Sequence, residues 1–328
     1  MNVFFDNETI RNKREELRFF PVDIANDLNI DVDMYREIEN GNMLPNRELA
    51  EKICSKLSID IDKVFNDNIK YTKVINIFNA KGGVGKTSTV NSLAAVFAKK
   101  GLKTLCIDLD SQCNLTNSFE LIPDEKNNIF TLFTLDNPFD VNIEDYIVHT
   151  KYDNIDIVMG SPNMDEVVEK ITVPNGREYI LYEALKNLIE KNIYDFILID
   201  NAASSSLILY NSIYTCHYAI APLVVGERFS LDGLNKLYDV VNKCLRNNYT
   251  FKDLKLFVNK YDKRVNSIDE FLDIVNQNYP ESLLKSIVRI DAQIERAQKE
   301  RKTIIDYNEK SKAAKDFTKL GEEIINLE

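Results

Sequence analysis

The chain has 328 residues, a net charge of −11 and an apolar fraction of 44%. That length suits one large domain or two ordinary ones, and the composition is ample for a buried core. The charge excludes a broadly basic nucleic-acid surface, and no apolar run nears the roughly 20 residues of a membrane span.

Residues 8–65 read as short helices joined by tight turns. Asp31 is placed to cap a helix that begins Val32-Asp33-Met34-Tyr35-Arg36-Glu37, and Asn40-Gly41 supplies the turn after it. Arg14, Ala25, Leu28, Ile30, Ile38-Glu39-Asn40-Gly41, Pro45 and Leu57, with Phe65 closing, resemble a Cro/repressor-type helix-turn-helix domain. The resemblance implies a small all-α domain over residues 1–66, with Ala25 where two helices cross closely. Residues 1–65 hold 9 Lys+Arg against 14 Asp+Glu, and Pro21 stands where such domains often place a base-reading polar residue. Arg36 is the one good candidate for a guanine contact. Operator binding and docking of a protein therefore both stay open.

After a short linker, 67–72, the texture changes. Apolar runs at Val74–Phe78, Thr104–Ile107, Ile155–Val158, Phe196–Ile199, Tyr218–Leu223, Leu254–Val258 and Leu284–Val288 predict strands. Helical patterns alternate with them, as in Ser88–Lys100, Glu178–Glu190, Leu231–Arg246 and Ser267–Asn276. Strands apolar on both faces, alternating with helices, predict a doubly wound, mostly parallel α/β sheet over 73–328.

Between the first strand and its helix lies Asn79-Ala80-Lys81-Gly82-Gly83-Val84-Gly85-Lys86-Thr87-Ser88. A strand, a glycine-rich loop and a helix N-terminus are the context of a phosphate-binding P-loop. Glycines let backbone N–H groups converge on phosphate oxygens, and the helix dipole favours the anion. Lys86 is expected beside the β- and γ-phosphates of ATP, and the Thr87 hydroxyl on Mg²⁺.

Lys81–Thr87 resembles the deviant Walker A of the ParA/MinD family, whose mark is the extra lysine at Lys81. The resemblance implies that Lys81 reaches the partner's nucleotide across an ATP-dependent homodimer. Asp108-Leu109-Asp110-Ser111-Gln112-Cys113-Asn114-Leu115-Thr116 is similar to that family's DxDxQxNxT motif. By that likeness Asp110 positions the attacking water and Asp108 supports the magnesium site. Tyr194–Asp200 reads as a strand ending in the Walker B aspartate, with Asp200 holding Mg²⁺ through water. The family usually continues with two prolines, where this chain has Asn201-Ala202-Ala203. That departure implies a more flexible loop facing the γ-phosphate. Pro222, Glu227 and Leu231–Leu234 also keep register, as do Arg289, Glu295 and Ser311–Ile325. Asn259 is expected either near the adenine or as a loop cap. The resemblance covers roughly residues 72–327.

The family likeness implies non-specific DNA binding by the ATP dimer. Lys263, Arg264, Lys285, Arg289, Arg296, Lys299, Arg301 and Lys302 are the candidate phosphate contacts, against a bland reading as solvated helix faces laced with Glu295 and Glu300. The ending, Lys319–Glu328, is acidic and unlike the basic amphipathic membrane helix of MinD-like proteins, so no membrane partner is expected. Met1–Asp6 lacks a basic n-region and long apolar h-region, so a cytoplasmic protein is expected, and the DNA binding that the resemblance implies would associate it with the nucleoid. Five scattered cysteines without a CxxC pair read as buried reduced thiols, and two histidines make His-based metal or triad chemistry a poor expectation. Three functions fit: a plasmid-partition ATPase working with a ParB-like partner, with residues 1–66 open to autoregulating transcription; a nucleotide-sensing repressor with little turnover; or cargo positioning by docking through residues 1–66.

Overall fold

A computed structural model describes residues 4–66, 71–203, 207–225, 231–245, 250–264 and 268–327. The chain divides into two compact units, Met1–Tyr71 with Glu190–Asn192, and Thr72–Ile189 with Ile193–Glu328.

The first unit carries α1 (Asn7–Glu16), α2 (Pro21–Leu28), α3 (Val32–Glu39), α4 (Arg47–Leu57) and α5 (Ile61–Val64). Local chemistry sets their ends. The Asp6 carboxylate accepts from Thr9 N at 2.9 Å, and Asp23 accepts from Phe20 N at 2.7 Å with Pro21 opening α2. Asn29 ends α2 in the left-handed region at φ 54°, and Asp31 caps α3 by accepting from Asp33 N at 2.7 Å. Ile10, Ile24, Ala25, Tyr35, Ile38, Ile53 and Leu57 form its core. Inside it the Arg14 guanidinium grips Glu39 through Nε–Oε1 at 2.6 Å and Nη2–Oε2 at 2.9 Å. The Tyr35 hydroxyl adds a 3.2 Å bond to the same carboxylate. The expected all-α unit has one addition, an antiparallel pairing of β1 (Phe4–Phe5) with β2 (Phe65–Asn66). Two-residue strands leave no alternation to read in a sequence.

The second unit is built on an eight-stranded sheet of order β10-β9-β8-β3-β7-β4-β6-β5. Its strands are β3 (Lys73–Ile77), β4 (Thr104–Asp108), β5 (Ile147–His149), β6 (Ile155–Val158), β7 (Phe196–Asp200), β8 (Tyr218–Val224), β9 (Asp253–Tyr261) and β10 (Leu283–Arg289). All neighbours run parallel except the edge pair β5–β6. The helices are α6 (Lys86–Lys99), α7 (Asn114–Ser118), α8 (Ile129–Phe133), α9 (Val167–Lys170), α10 (Ile180–Glu190), α11 (Leu207–Thr215), α12 (Leu231–Leu245), α13 (Ile268–Asn278), α14 (Ala292–Lys299), α15 (Ile304–Asn308) and α16 (Lys312–Ile325). Alternation along the strands separates two cores. Ile75, Ile77, Phe196 and Leu198 pack with Val90, Leu93 and Phe97 of α6 and Phe317 and Leu320 of α16. Val74, Ile197 and Ile199 face the other side with Leu181 of α10, Leu209 of α11 and Leu237 of α12. The fold is thus doubly wound, and it gathers the ends of β3, β4 and β7 at the middle of the sheet, where ligands bind in such folds.

All five cysteines are buried and none is in a disulfide. Among the described residues no helix is long and apolar enough to cross a membrane. Glu227 and the side chains of Leu231 and Asp232 lie outside the described residues, as do residues 67–70 of the expected linker.

Candidate nucleotide site

The loop between β3 and α6 is held by its neighbours' polar groups. The Asn79 amide donates to Pro222 O at 3.0 Å, and its Oδ1 accepts from Lys81 N at 3.0 Å. The buried Lys86 ammonium lies back across the loop, 3.1 Å from Asn79 O and 3.3 Å from Lys81 O. Burial lowers its pKa, while the Asp200 and Asp110 charges act against that shift. Gly85 precedes α6 at φ 95° with no side-chain cap on the helix, so the first-turn amides are left for a ligand. Asn259 takes the loop-capping role: its Nδ2 donates to Val84 O at 2.8 Å, beside Lys260 Nζ donating to Gly83 O at 2.8 Å. Carbonyls tied back in this way turn the loop's N–H groups toward the cradle.

Asp108 and Asp200 are register partners across β4 and β7, and Ile77 of β3 pairs with Asp200 from the other side. The two carboxylates have different surroundings. Asp108 Oδ2 accepts from Thr116 N at 2.9 Å and Thr116 Oγ1 at 2.7 Å, while Oδ1 accepts from Asp110 N at 3.2 Å. Burial raises its pKa to about 6 despite those bonds. Its bonds organise the loop carrying Asp110. Asp200 is fully buried, and neither carboxylate oxygen has a hydrogen-bond partner of acceptable geometry among the described residues. Burial pushes its pKa well up, as does the Asp108 charge; the nearby Thr87 hydroxyl pulls it down. A dry carboxylate with open lone pairs, beside a hydroxyl at a phosphate loop, is a donor set suited to a hard divalent cation such as Mg²⁺. The residues therefore fit that ion.

The AAA-domain family matches residues 72–256. The chain belongs to that family, in its ParA/MinD-type P-loop branch. It is 31% identical over 259 residues to an uncharacterised protein of Methanocaldococcus jannaschii, covering 77% of this chain and 98% of that one. It is 27% identical over 255 residues to the sporulation initiation inhibitor protein Soj of Bacillus subtilis, at 77% and 98% coverage. Among solved structures, the septum site-determining protein MinD of Pyrococcus horikoshii, complexed with Mg-ADP, superposes with a TM-score of 0.62 at 25% identity, covering 77% and 96%. Residues 1–71 lie outside the family match.

Within this ParA/MinD-type unit, the basic candidates separate. Arg289 is committed to Asp316 through a two-pronged contact at 2.8 and 2.7 Å, Arg264 pairs with Asp262, and Lys302 pairs with Glu300 at 3.1 Å. The exposed side chains of Arg296 and Lys299 on α14, and Arg301 just after it, form one short run; Lys263 and Lys285 are exposed elsewhere. In the first unit Arg36 pairs with Asp33 at 2.9 Å. Sequence reasoning missed Asn76 and Gln298. Only Asn76 left a signal, as the one polar residue inside the apolar run Val74–Phe78. Gln298 Nε2 donates to the Ser88 hydroxyl at 2.8 Å, which ties α14 to the start of α6.

Proposed function

We propose that this chain is an ATP-dependent DNA-segregation ATPase, most plainly of the plasmid-partition kind, in which ATP closes a dimer on non-specific DNA and hydrolysis releases it. The observation that carries this reading is the fully buried carboxylate of Asp200, its lone pairs open toward Thr87 and Lys86 at the P-loop. Lys86 holds the β- and γ-phosphates, and the amides of Gly82–Ser88 cradle them. Thr87 and Asp200 hold the magnesium ion, which supplies charge neutralisation of the phosphates when bound. Asp108 fixes the loop, and Asp110 orients the attacking water. Lys81 completes the partner's site across the dimer, which makes closure depend on ATP. Arg296, Lys299 and Arg301 give the dimer its phosphate-binding surface, helped by Lys263 and Lys285. A ParB-like protein is the expected stimulating partner, and the setting is the cytoplasm at the nucleoid. The helices of the first unit serve as a helix-turn-helix module, with Arg36 its base-reading candidate.

The reading is tested with three substitutions and one truncation. Lys86→Ala should abolish ATP binding in calorimetry. Lys81→Ala should bind ATP yet stay monomeric by light scattering. Asp110→Ala should remain on DNA with ATP because hydrolysis no longer releases it. DNA retention should survive deletion of residues 1–66. If deletion eliminates all DNA binding and turnover is negligible, a nucleotide-sensing repressor replaces the partition reading.

A further inference from the structure

Behind Asp200 lies a set of three buried side chains from three elements. Asn201 Nδ2 donates to Asn76 Oδ1 on β3. Asn76 Nδ2 donates to Ser212 Oγ on α11 at 3.0 Å, and Ser212 Oγ lies 3.1 Å from Asn201 Oδ1. The ring closes on itself, and all three residues are at most 2% exposed. The Ser212 hydroxyl also reaches Leu209 O at 2.8 Å, so its single proton serves one of two acceptors.

We infer that the Asn76–Asn201–Ser212 ring is a positioning network that aims the Asp200 carboxylate, in place of a stiff loop after the strand. This inference rests on the ATPase reading of the site. Side chains alternate along β7: Ile197 and Ile199 face α11, while Phe196 and Leu198 face α6. Asp200 therefore falls on the P-loop side and Asn201 on the α11 side. Gripping Asn201 from behind fixes the pleat at Asp200, and with it the direction of a buried carboxylate that has only the nearby Thr87 hydroxyl beside it. Asn76 immediately precedes Ile77, the register partner of Asp200, so the ring is anchored on the neighbouring strand β3, whose own register is held by its ladders to β7 and β8. Packing alone does not hold this turn. Asn201 and Ala202 border a cavity of about 30 Å³, with room for about one water, lined also by Leu109, Met164 and Ile208. Asparagine suits the task because its amide both donates and accepts without adding charge beside Asp108 and Asp200.

The test compares Ser212→Ala, Asn201→Ala and the double variant of the full chain, with folding checked by circular dichroism. Ser212→Thr, which keeps the hydroxyl, is the conservative control. Nucleotide affinity without Mg²⁺ should stay within about twofold, because the phosphate cradle is untouched, while kcat falls and the half-saturating Mg²⁺ concentration rises by about tenfold. The double variant should be no worse than the worse single one, as expected of groups acting as a unit. Ser212→Thr should restore most of both values. Independently of turnover, hydrogen exchange of the 196–203 segment should accelerate in Ser212→Ala while 104–108 is unchanged. Unchanged exchange at 196–203 overturns the inference, as does a loss of thermal stability with Mg²⁺ dependence intact. If none of the variants folds, a role confined to aiming Asp200 is refuted too. If the unsubstituted protein neither binds nor hydrolyses ATP, the ATPase reading fails instead, and the exchange result still decides whether the ring orders the Asp200 turn.

Discussion

Asn259 and Gly85 are in such close apposition that a β-carbon at Gly85 would lie 2.5 Å from Asn259 Nδ2. Gly85 also sits at φ 95°, where an L side chain costs roughly 1–2 kcal/mol. The clash and the strain both oppose alanine here. Gly85→Ala is expected to weaken ATP binding by at least about tenfold, the equivalent of about 1.4 kcal/mol. Adding Asn259→Ala removes the clash but not the strain, so affinity should recover only in part. Titration with a fluorescent ATP analogue reads both variants; full affinity in Gly85→Ala would show that the loop does not need this conformation.

The buried Arg14–Glu39 pair should dominate the stability of the first unit. Glu39→Ala strands a guanidinium that is only 9% exposed, at an expected cost of about 3–5 kcal/mol. Arg14→Met combined with Glu39→Leu should cost far less, since no uncompensated charge is left. Limited proteolysis of the full chain, monitored between residues 8 and 65, distinguishes the two. Equal protection of all three proteins would contradict this account.

His217 accepts a 2.9 Å bond from Val74 N at Nδ1, which requires the proton on Nε2. Burial, then the Lys252 and Lys73 charges, lower its pKa to about 4. As pH falls below about 6.5 the unfolded ring takes up a proton that the folded ring refuses, so its contribution to stability declines between about 6.5 and 4. Asp108 acts in the opposite sense. Its raised pKa means that the folded state gains relative stability as pH falls toward 4. A melting curve mixes the two effects. The direct check is the His217 ring itself, which should remain neutral by NMR down to about pH 4; titration near 6.5 would refute the assignment.

Basic residues should also divide by behaviour. Arg296→Ala and Lys299→Ala should each reduce the slope of log affinity for duplex DNA against log salt by about 0.9. Arg289→Ala should leave that slope alone, because its guanidinium serves Asp316, and should lower Tm by about 2–4 °C for each kcal/mol lost. A salt series and a thermal melt on the same three proteins test the division.

Much of the site was legible because its chemistry is local. Glycines, Lys86 and Thr87 are contiguous, and Asp108 and Asp200 end apolar runs. The other seven strands were legible for a related reason, since packing between two helical layers leaves mainly apolar stretches. The edge strand Ile147–His149 was not, being three residues long and half exposed. Asn201 could be seen as a departure from its family's prolines, but not as one corner of a ring. Its partners lie 125 and 11 residues away, and only the β3–β7 pairing and the packing of α11 unite them. Likewise, no pattern distinguishes Arg289, clasped by a carboxylate 27 residues on, from the exposed Arg296.

The side-by-side placement of Asp108 and Asp200 makes the ligand-free protein the frustrated form. Burial and the Asp108 charge both disfavour ionisation of Asp200 in this strand junction, so part of the cation's attraction comes from relieving a cost already present before it arrives. Tolerance to heat and grip on magnesium then trade against each other at one residue. Asp200→Asn should melt at a higher temperature than the unsubstituted chain without ligand, and at a lower one once Mg-ATP is added.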